Sequence, residues 1–405
     1  MALNTSSWLN QCFVEKILRK SESDDSIQVI DVFSNRGSNK GDNYICDIVR
    51  ITAEFSREQE GRKIVEKKSI ILKVSPTSES VRYKWLTKAA FFRTEVSMML
   101  NTLDKMNNLL GPKYRLSGRG LYVQNENPML LAIEDLMPLG FRMTDLSGLD
   151  LAHSILVLRG LARFHAASVI VCEKEPKQKE MYTRGLFNNQ NPSESKDFFN
   201  RGTKALSEEV VNWPEVKKYS EKIAKLSDHM YQIAIDATKL SENEFNVINH
   251  GDPQMKNMLF KYDNDGNPTD QIFVDFQTCV YTSPAFDFLY FLNSSLSFDA
   301  IENKKDVLLN EYYSILLMTM KQLNCKTQPP TMEELKDAIK RRASLEMVSS
   351  FVVLPLMLCP KTEAKDFDEM MGTDIWISPG LKSEDFKKLI IKRIPLYDEW
   401  GLLDL

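Results

Sequence analysis

No cysteine pair, no histidine cluster and no surplus of charge marks this chain. Its six cysteines, Cys12, Cys46, Cys172, Cys279, Cys325 and Cys359, fall at irregular spacing without a CxxC. That excludes a disulfide-framed module and leads us to expect reduced thiols in a cytoplasmic protein. There are four histidines, and two of them, His153 and His165, lie in one helical pattern, so a histidine-built zinc centre is not expected. Lysine and arginine number 52 against 56 acids, a formal net charge of −4. Nothing there marks a nucleic-acid footprint. Residues 351–359, the longest apolar run near the C-terminus, fall far short of the roughly 20 that a membrane-spanning helix needs. The opening MALNTSSWLNQCFVEKILRK lacks the apolar core of a secretory leader. The G-x-G-x-x-G phosphate loop is missing as well. What is present, 405 residues of which 43% are hydrophobic and 27% charged, suits a globular protein large enough for two lobes with separate cores.

Residues 247–276 organise the rest. They read VINHGDPQMKNMLFKYDNDGNPTDQIFVDF, which parses as strand, acid-bearing loop, strand, tight turn, strand and a second acid. Asn264, Asp265 and Gly266 give a hairpin-type turn between Met258, Leu259 and Phe260 on one side and Ile272, Phe273 and Val274 on the other. A hairpin brings its ends together, so Asp252, Asn257 and Asp275 are expected at one mouth. Phosphoryl transfer from ATP needs such a set. One carboxylate, Asp252, accepts the proton of the attacking hydroxyl, while Asn257 and Asp275 hold Mg²⁺ against the phosphates. The competing reading is a structural loop with N-capping Asp and Asn.

Upstream, residues 8–20 carry an amphipathic helical pattern and residues 27–33 (IQVIDVF) a strand. Gly37 and Gly41 sit in a polar turn that either lays backbone N–H groups along phosphates or is an ordinary surface hairpin. Asn43, at the end of that turn, is a candidate nucleotide contact. In the strand Ser69, Ile70, Ile71, Leu72, Lys73, Val74, the lysine interrupts an apolar run. It either pairs the α- and β-phosphates of ATP or lies on the exposed face of an edge strand. A helix is expected over 89–106, with Glu95 at the edge of the stripe Phe92, Val96, Met99, Leu103, where it can hold Lys73 in place. Strands are expected near 113–115 and 120–124. Residues 129–133 form another, leading to Glu134, Asp135 and Leu136, whose backbone is placed to meet an adenine across a hinge between lobes.

From Asp150 the pattern turns helical. Leu151, Ile155, Leu158, Ala162 and His165 share one face, with His165 read as a hydrogen-bonded core residue. Residues 172–214 are charged and interrupted, a candidate cover over an acceptor pocket. Residues 216–240 alternate threes and fours, as a long core helix or a coiled-coil seam does. Asp287, inside the apolar start FDFLYFL, needs partners and is read as a structural acid that caps its helix or ties it to the loop at Asp252. Helices are expected at 299–323, at 331–358 with Arg341 and Arg342 exposed, and at 383–394, ended by Pro395.

Taken together, GDNYICDIVRI at 41–51, ILKV with Lys73, Glu95, LLAIEDL at 130–136, LARFHAAS at 161–168, NHGDPQMKNMLFKYD at 249–263, IFVDFQ at 272–277 and SPAFDFLYFL at 283–292 resemble the insect ecdysteroid kinase-like (choline-kinase-like) family. That family is a branch of the aminoglycoside and choline phosphotransferases within the kinase fold. The resemblance implies an α+β, two-lobed, protein-kinase-like fold. A mixed N-lobe with an antiparallel sheet is expected over 1–137 and a larger, mostly helical C-lobe over 138–405. It implies Asp252 as base, Asn257 and Asp275 as Mg²⁺ ligands, Lys73 with Glu95 as the phosphate-positioning pair, and an alcohol acceptor such as an ecdysteroid. Gln277 stands where protein kinases carry the glycine of DFG, and Gln254 where a lysine is common, leaving Lys256 to supply charge near the γ-phosphate. A binding protein without turnover, or a choline- or aminoglycoside-type kinase, are the alternatives. The acceptor and the oligomeric state are not written in the sequence.

Overall fold

Apolar residues alternate along the strand Asp47–Gln59, with Ile51, Ala53 and Phe55 buried and Thr52 and Glu54 between them more exposed. This two-residue period prepares one face of a sheet for covering. In the computed structural model, which describes residues 8–37, 45–360, 362, 363, 365, 367–371 and 378–405, that strand belongs to a five-stranded antiparallel sheet. Its members are β1 (Gln28–Arg36), β2 (Asp47–Gln59), β3 (Arg62–Val74), β4 (Gly120–Gln124) and β5 (Leu130–Glu134), in the order β1-β2-β3-β5-β4. Helix α1 (Gln11–Glu22) covers one face, burying Val14, Ile17 and Leu18 in a core with Ile51, Phe55, Ile70 and Leu72. Asn10 starts the helix by accepting from the N–H of Phe13, and Ser23, in the left-handed conformation, ends it. Lys73 pairs with Ile48 on one side and Leu131 on the other. Strand β3 is therefore interior, and the edge-strand reading of Lys73 is excluded.

The helix expected over 89–106 is built differently. Ala90 has φ 62°, so α2 (Val81–Lys88) stops before it and α3 (Phe91–Ser97) starts after it. A π-helical turn, Met98–Thr102, then joins α3 to α4 (Leu103–Leu110). Phe91, Met98, Leu103 and Met106 pack in the same core as the later helices, apart from the core under α1. Residues 113–115 are no strand. Pro112, whose fixed φ suits a first helical turn, opens the short 3₁₀ turn Pro112–Tyr114.

Helix α5 (Leu151–Lys174), capped by Asp150, is the axis of the helical part. It is long and apolar enough to cross a bilayer, yet most of it is buried inside the protein. Residues 172–214 contain a turn, Pro176–Met181, and α6 (Ser193–Val210), whose Phe198 and Phe199 are buried. The single helix expected over 216–240 is broken into α7 (Ser220–Leu226) and α8 (Met230–Thr238). The threes-and-fours pattern runs on because both pieces bury the same side.

Strand β6 (Val247–Asn249) pairs with β9 (Val280–Thr282), and β7 (Met258–Tyr262) forms a hairpin with β8 (Pro268–Phe273). Helices α9 (Ala285–Ser295), α10 (Phe298–Asn303) and α11 (Lys305–Gln322) follow, then Met332–Arg341, Ala343–Val348 and Leu354–Met357. Arg342, expected on the surface, is buried and reaches Glu244 at 2.6 Å, as a buried guanidinium requires. The final helix, Glu384–Glu399, runs through Pro395. Tyr397 beyond it is fully buried, its ring 5.7 Å from Phe351 and its hydroxyl 3.1 Å from Ser350, and that anchorage carries the last turn past the proline.

Candidate active site

A buried carboxylate shapes the loop after β6. Asp287, in the first turn of α9, accepts from the backbone N–H of His250 at 2.6 Å and of Gly251 at 2.9 Å. His165 of α5 lies 3.0 Å from the same carboxylate and 2.8 Å from the Tyr312 hydroxyl. Asp287 thus ties α9 to the loop, and His165 is the hydrogen-bonded core residue its pattern suggests. Removing the acid leaves two buried N–H groups without an acceptor. We expect Asp287→Ala to lower unfolding free energy by about 3 kcal/mol or more, measured by urea titration.

Gly251 has φ +86°, and a Cβ there would lie 1.9 Å from the carbonyl oxygen of Thr278. The loop is pressed directly onto the 275–279 segment. His250 completes the clamp. Its ring lies 4.8 Å from that of Phe276, and Nε2 is 3.1 Å from the carbonyl of Val274. Burial holds this imidazole below its usual pKa, so it is neutral, with Nε2–H donating and Nδ1 left to accept from the Asp252 N–H at 3.4 Å.

Asp252 follows. Asn257 donates from Nδ2 to its Oδ2 and to its backbone oxygen, both at 2.9 Å. The hydroxyl of Tyr290 and the amide of Gln254 also donate to the carboxylate. Burial, helped by the negative charge of Asp275, pushes Asp252 up to about 7 against these donors. Asp275 lies just beyond β8, where the N–H of Val274 bonds the carbonyl of Asn257 at 3.0 Å and closes the hairpin mouth. Asp275 has φ 69°, a left-handed conformation unusual outside glycine, and it swings the carboxylate toward the sheet. There Lys73 Nζ meets Asp275 Oδ1 at 2.7 Å and Glu95 Oε1 at 2.6 Å. Burial alone would lower the lysine pKa, but the two carboxylates outweigh it, so Lys73 stays an ammonium.

Two cavities meet at this cluster. One, of about 400 Å³, lies against Lys73, Glu95, Glu134, Leu136, Asn257 and Asp275. The other, of about 90 Å³, is walled by Ile45, Phe91, Phe199, Leu356 and other apolar groups, with Asp252 and Tyr290 beside them. Asn257 and Asp275 line both.

Every proposed site residue that the structure describes is therefore in or beside this cleft. Asn43 lies outside the described residues. Glu134 turns its side chain to Arg115 and gives its N–H to Arg119, and the Leu136 carbonyl accepts from Leu139. Lys256 lines the larger cavity, with Nζ 3.3 Å from the Leu356 carbonyl. The sequence reading named Gln254 only as a departure from the kinase pattern and missed Tyr290 and Thr278. Tyr290 had a signal, since it stands three residues after Asp287 on one helical face.

A family model described as the ecdysteroid kinase-like family matches residues 40–325. The chain belongs to that family. This ecdysteroid kinase-like chain is thereby a small-molecule kinase-like protein in its general class. Its antiparallel sheet and helical C-terminal part are the two-lobed kinase-like architecture expected from the sequence. Among solved structures it is similar to APH(2")-IIia in its GDP and kanamycin complex. Identity is 11%, covering 96% of this chain and 98% of that one, with a TM-score of 0.38. No curated protein matches.

Proposed function

We propose that this protein transfers the γ-phosphate of ATP to a hydroxyl of a lipophilic alcohol, with an ecdysteroid as the leading candidate. One observation carries the reading: Asn257 and Asp275 are shared by a large cavity and a small one, and Asp252 faces the small one. A phosphoryl group passes from one substrate to another across such a wall. On this reading the lobes divide near residue 137, with ATP between them. Ile48, Ile133, Leu136 and Leu259 would enclose the adenine, and the backbone at Glu134 and Leu136 would meet its edge.

The donor set fits Mg²⁺. Asn257 uses its nitrogen on Asp252, which leaves Oδ1, and Asp275 adds a carboxylate. No group of three His, Cys, Asp or Glu side chains suited to a metal occurs among the described residues, but Mg²⁺ bound with phosphates asks for only one or two protein oxygens. When bound there, the ion would draw charge from the phosphate oxygens. The chain's own residues do the rest. Asp252 takes the proton of the acceptor hydroxyl, that oxygen forms a bond to the γ-phosphorus, and the bond from phosphorus to the bridging oxygen breaks with its electron pair leaving on ADP. Lys73, held by Glu95, steadies the α- and β-phosphates.

The apolar walls of the small cavity favour a lipophilic acceptor. Among its described lining residues only Asp252 and Asp275 are acidic, so a polycationic aminoglycoside finds no further anionic partner. At about 90 Å³ it lies well below the ~300 Å³ at the low end for ligand pockets, so only the hydroxyl-bearing end of a large acceptor enters. The test is labelled ATP with a panel of ecdysteroids, simple lipophilic alcohols, choline and kanamycin. Transfer to the alcohols is expected. Calorimetry supplies a second readout: Asp275→Asn should remove most of the Mg²⁺-dependent gain in ATP affinity. Transfer to none of the panel, with Mg²⁺-independent ATP binding, would overturn the reading.

A further inference from the structure

Two polar groups in the small cavity have no role in the transfer described above. Gln277 and Thr278 are both more than nine-tenths buried, both line that cavity, and the Gln277 Oε1 and Thr278 Oγ1 atoms have no hydrogen-bond partner. Buried oxygens without partners carry a free-energy cost, so native structures hold few of them. The Gln277 amide is oriented. Its Nε2 is 3.4 Å from Asp275 Oδ2, which leaves Oε1 to accept. Thr278 is also fixed, because its backbone carbonyl is packed against Gly251, next to Asp252. An accepting amide oxygen and a hydroxyl are thus carried by two consecutive residues that line the same cavity as Asp252, alongside its apolar walls.

We propose that Gln277 and Thr278 form a subsite for a second hydroxyl of the acceptor, so that the protein selects lipophilic diols over mono-alcohols with the same carbon frame. The inference rests on the kinase reading for what happens next to the bound alcohol, but the subsite itself is a binding claim. A ligand hydroxyl donates to Gln277 Oε1 and accepts from, or donates to, Thr278 Oγ1. A mono-alcohol leaves both protein groups unpaired, and sites built to meet a hydroxyl discriminate strongly against ligands that lack it.

The experiment compares octanol with its vicinal diol, by calorimetric affinity and by phosphate transfer from labelled ATP. For the unaltered protein we expect the diol to bind about 10-fold or more tightly. Thr278→Val and Gln277→Met should each collapse that ratio toward one, while Thr278→Ser, which keeps the hydroxyl, should retain it. A thermal melt of each variant separates lost folding from lost selection. Equal affinity for the two alcohols in the unaltered protein, or a ratio that survives Thr278→Val and Gln277→Met, overturns the subsite. A diol preference that falls in these variants without any phosphate transfer upholds the subsite and overturns the kinase reading instead.

Discussion

Asp252→Asn is expected to lower turnover by about a thousandfold or more while leaving ATP affinity within a few-fold, because on the proposed reading the change removes a proton acceptor and leaves the larger cavity intact. The pH profile identifies the role more sharply. Burial places the Asp252 carboxyl at about 7, and only its ionised form takes a proton. For the unaltered protein kcat/KM should be flat above pH 7 and fall about tenfold per unit below it. The residual rate of the Asn variant should lack that acid limb. Stability runs the other way. The folded-state pKa is raised above the ~3.9 of an unfolded aspartate, so the folded protein binds the proton more tightly between the two values. Unfolding free energy should therefore decline as pH rises from about 4 to about 7, and Asp252→Asn should not share that particular decline. Urea titrations at matched pH values check it. An unchanged acid limb in the Asn variant would show that another group is the base.

Gly251→Ala should have a large structural effect on the loop that carries Asp252. Its Cβ would sit 1.9 Å from the Thr278 carbonyl oxygen, and the position has φ +86°, which a side chain rarely adopts. Backbone faces backbone at this contact, so no rotamer relieves it. Either the loop lifts off the 275–279 segment or the segment moves away from Lys73. Loss of about 3 kcal/mol or more in unfolding free energy is expected, together with a drop in transfer rate of a hundredfold or more. Circular dichroism melts and steady-state kinetics check the two parts. An alanine variant with unaltered rate and melting midpoint would mean that the loop does not depend on this contact.

Much of the centre was legible because its signals are short-range. The turn at Asn264, Asp265 and Gly266 fixes the β7–β8 register, and that register alone brings Asn257 to Asp275. Lys73 was ambiguous for a physical reason. A lone cation in an apolar strand looks the same at an edge as in the interior, and only the pairing of β3 with both β2 and β5 decides. The break at Ala90 and the π-helical turn after Ser97 left the three-and-four spacing nearly undisturbed, so periodicity could not show them. The split between α7 and α8 was hidden in the same way. Arg342 was misplaced because its partner, Glu244, is nearly a hundred residues away in sequence. The small cavity was illegible for that reason throughout, since it gathers side chains from Ile45 to Met357.

Helix α3 shares its core with the helical body, whereas Lys73 belongs to the sheet under α1. The contact between Lys73 and Glu95 therefore ties the sheet to the helical body, alongside Leu131 of β5, which packs in the helical core. A tilt of the sheet over the helices would pull on this buried ammonium, which holds Asp275 as well as Glu95.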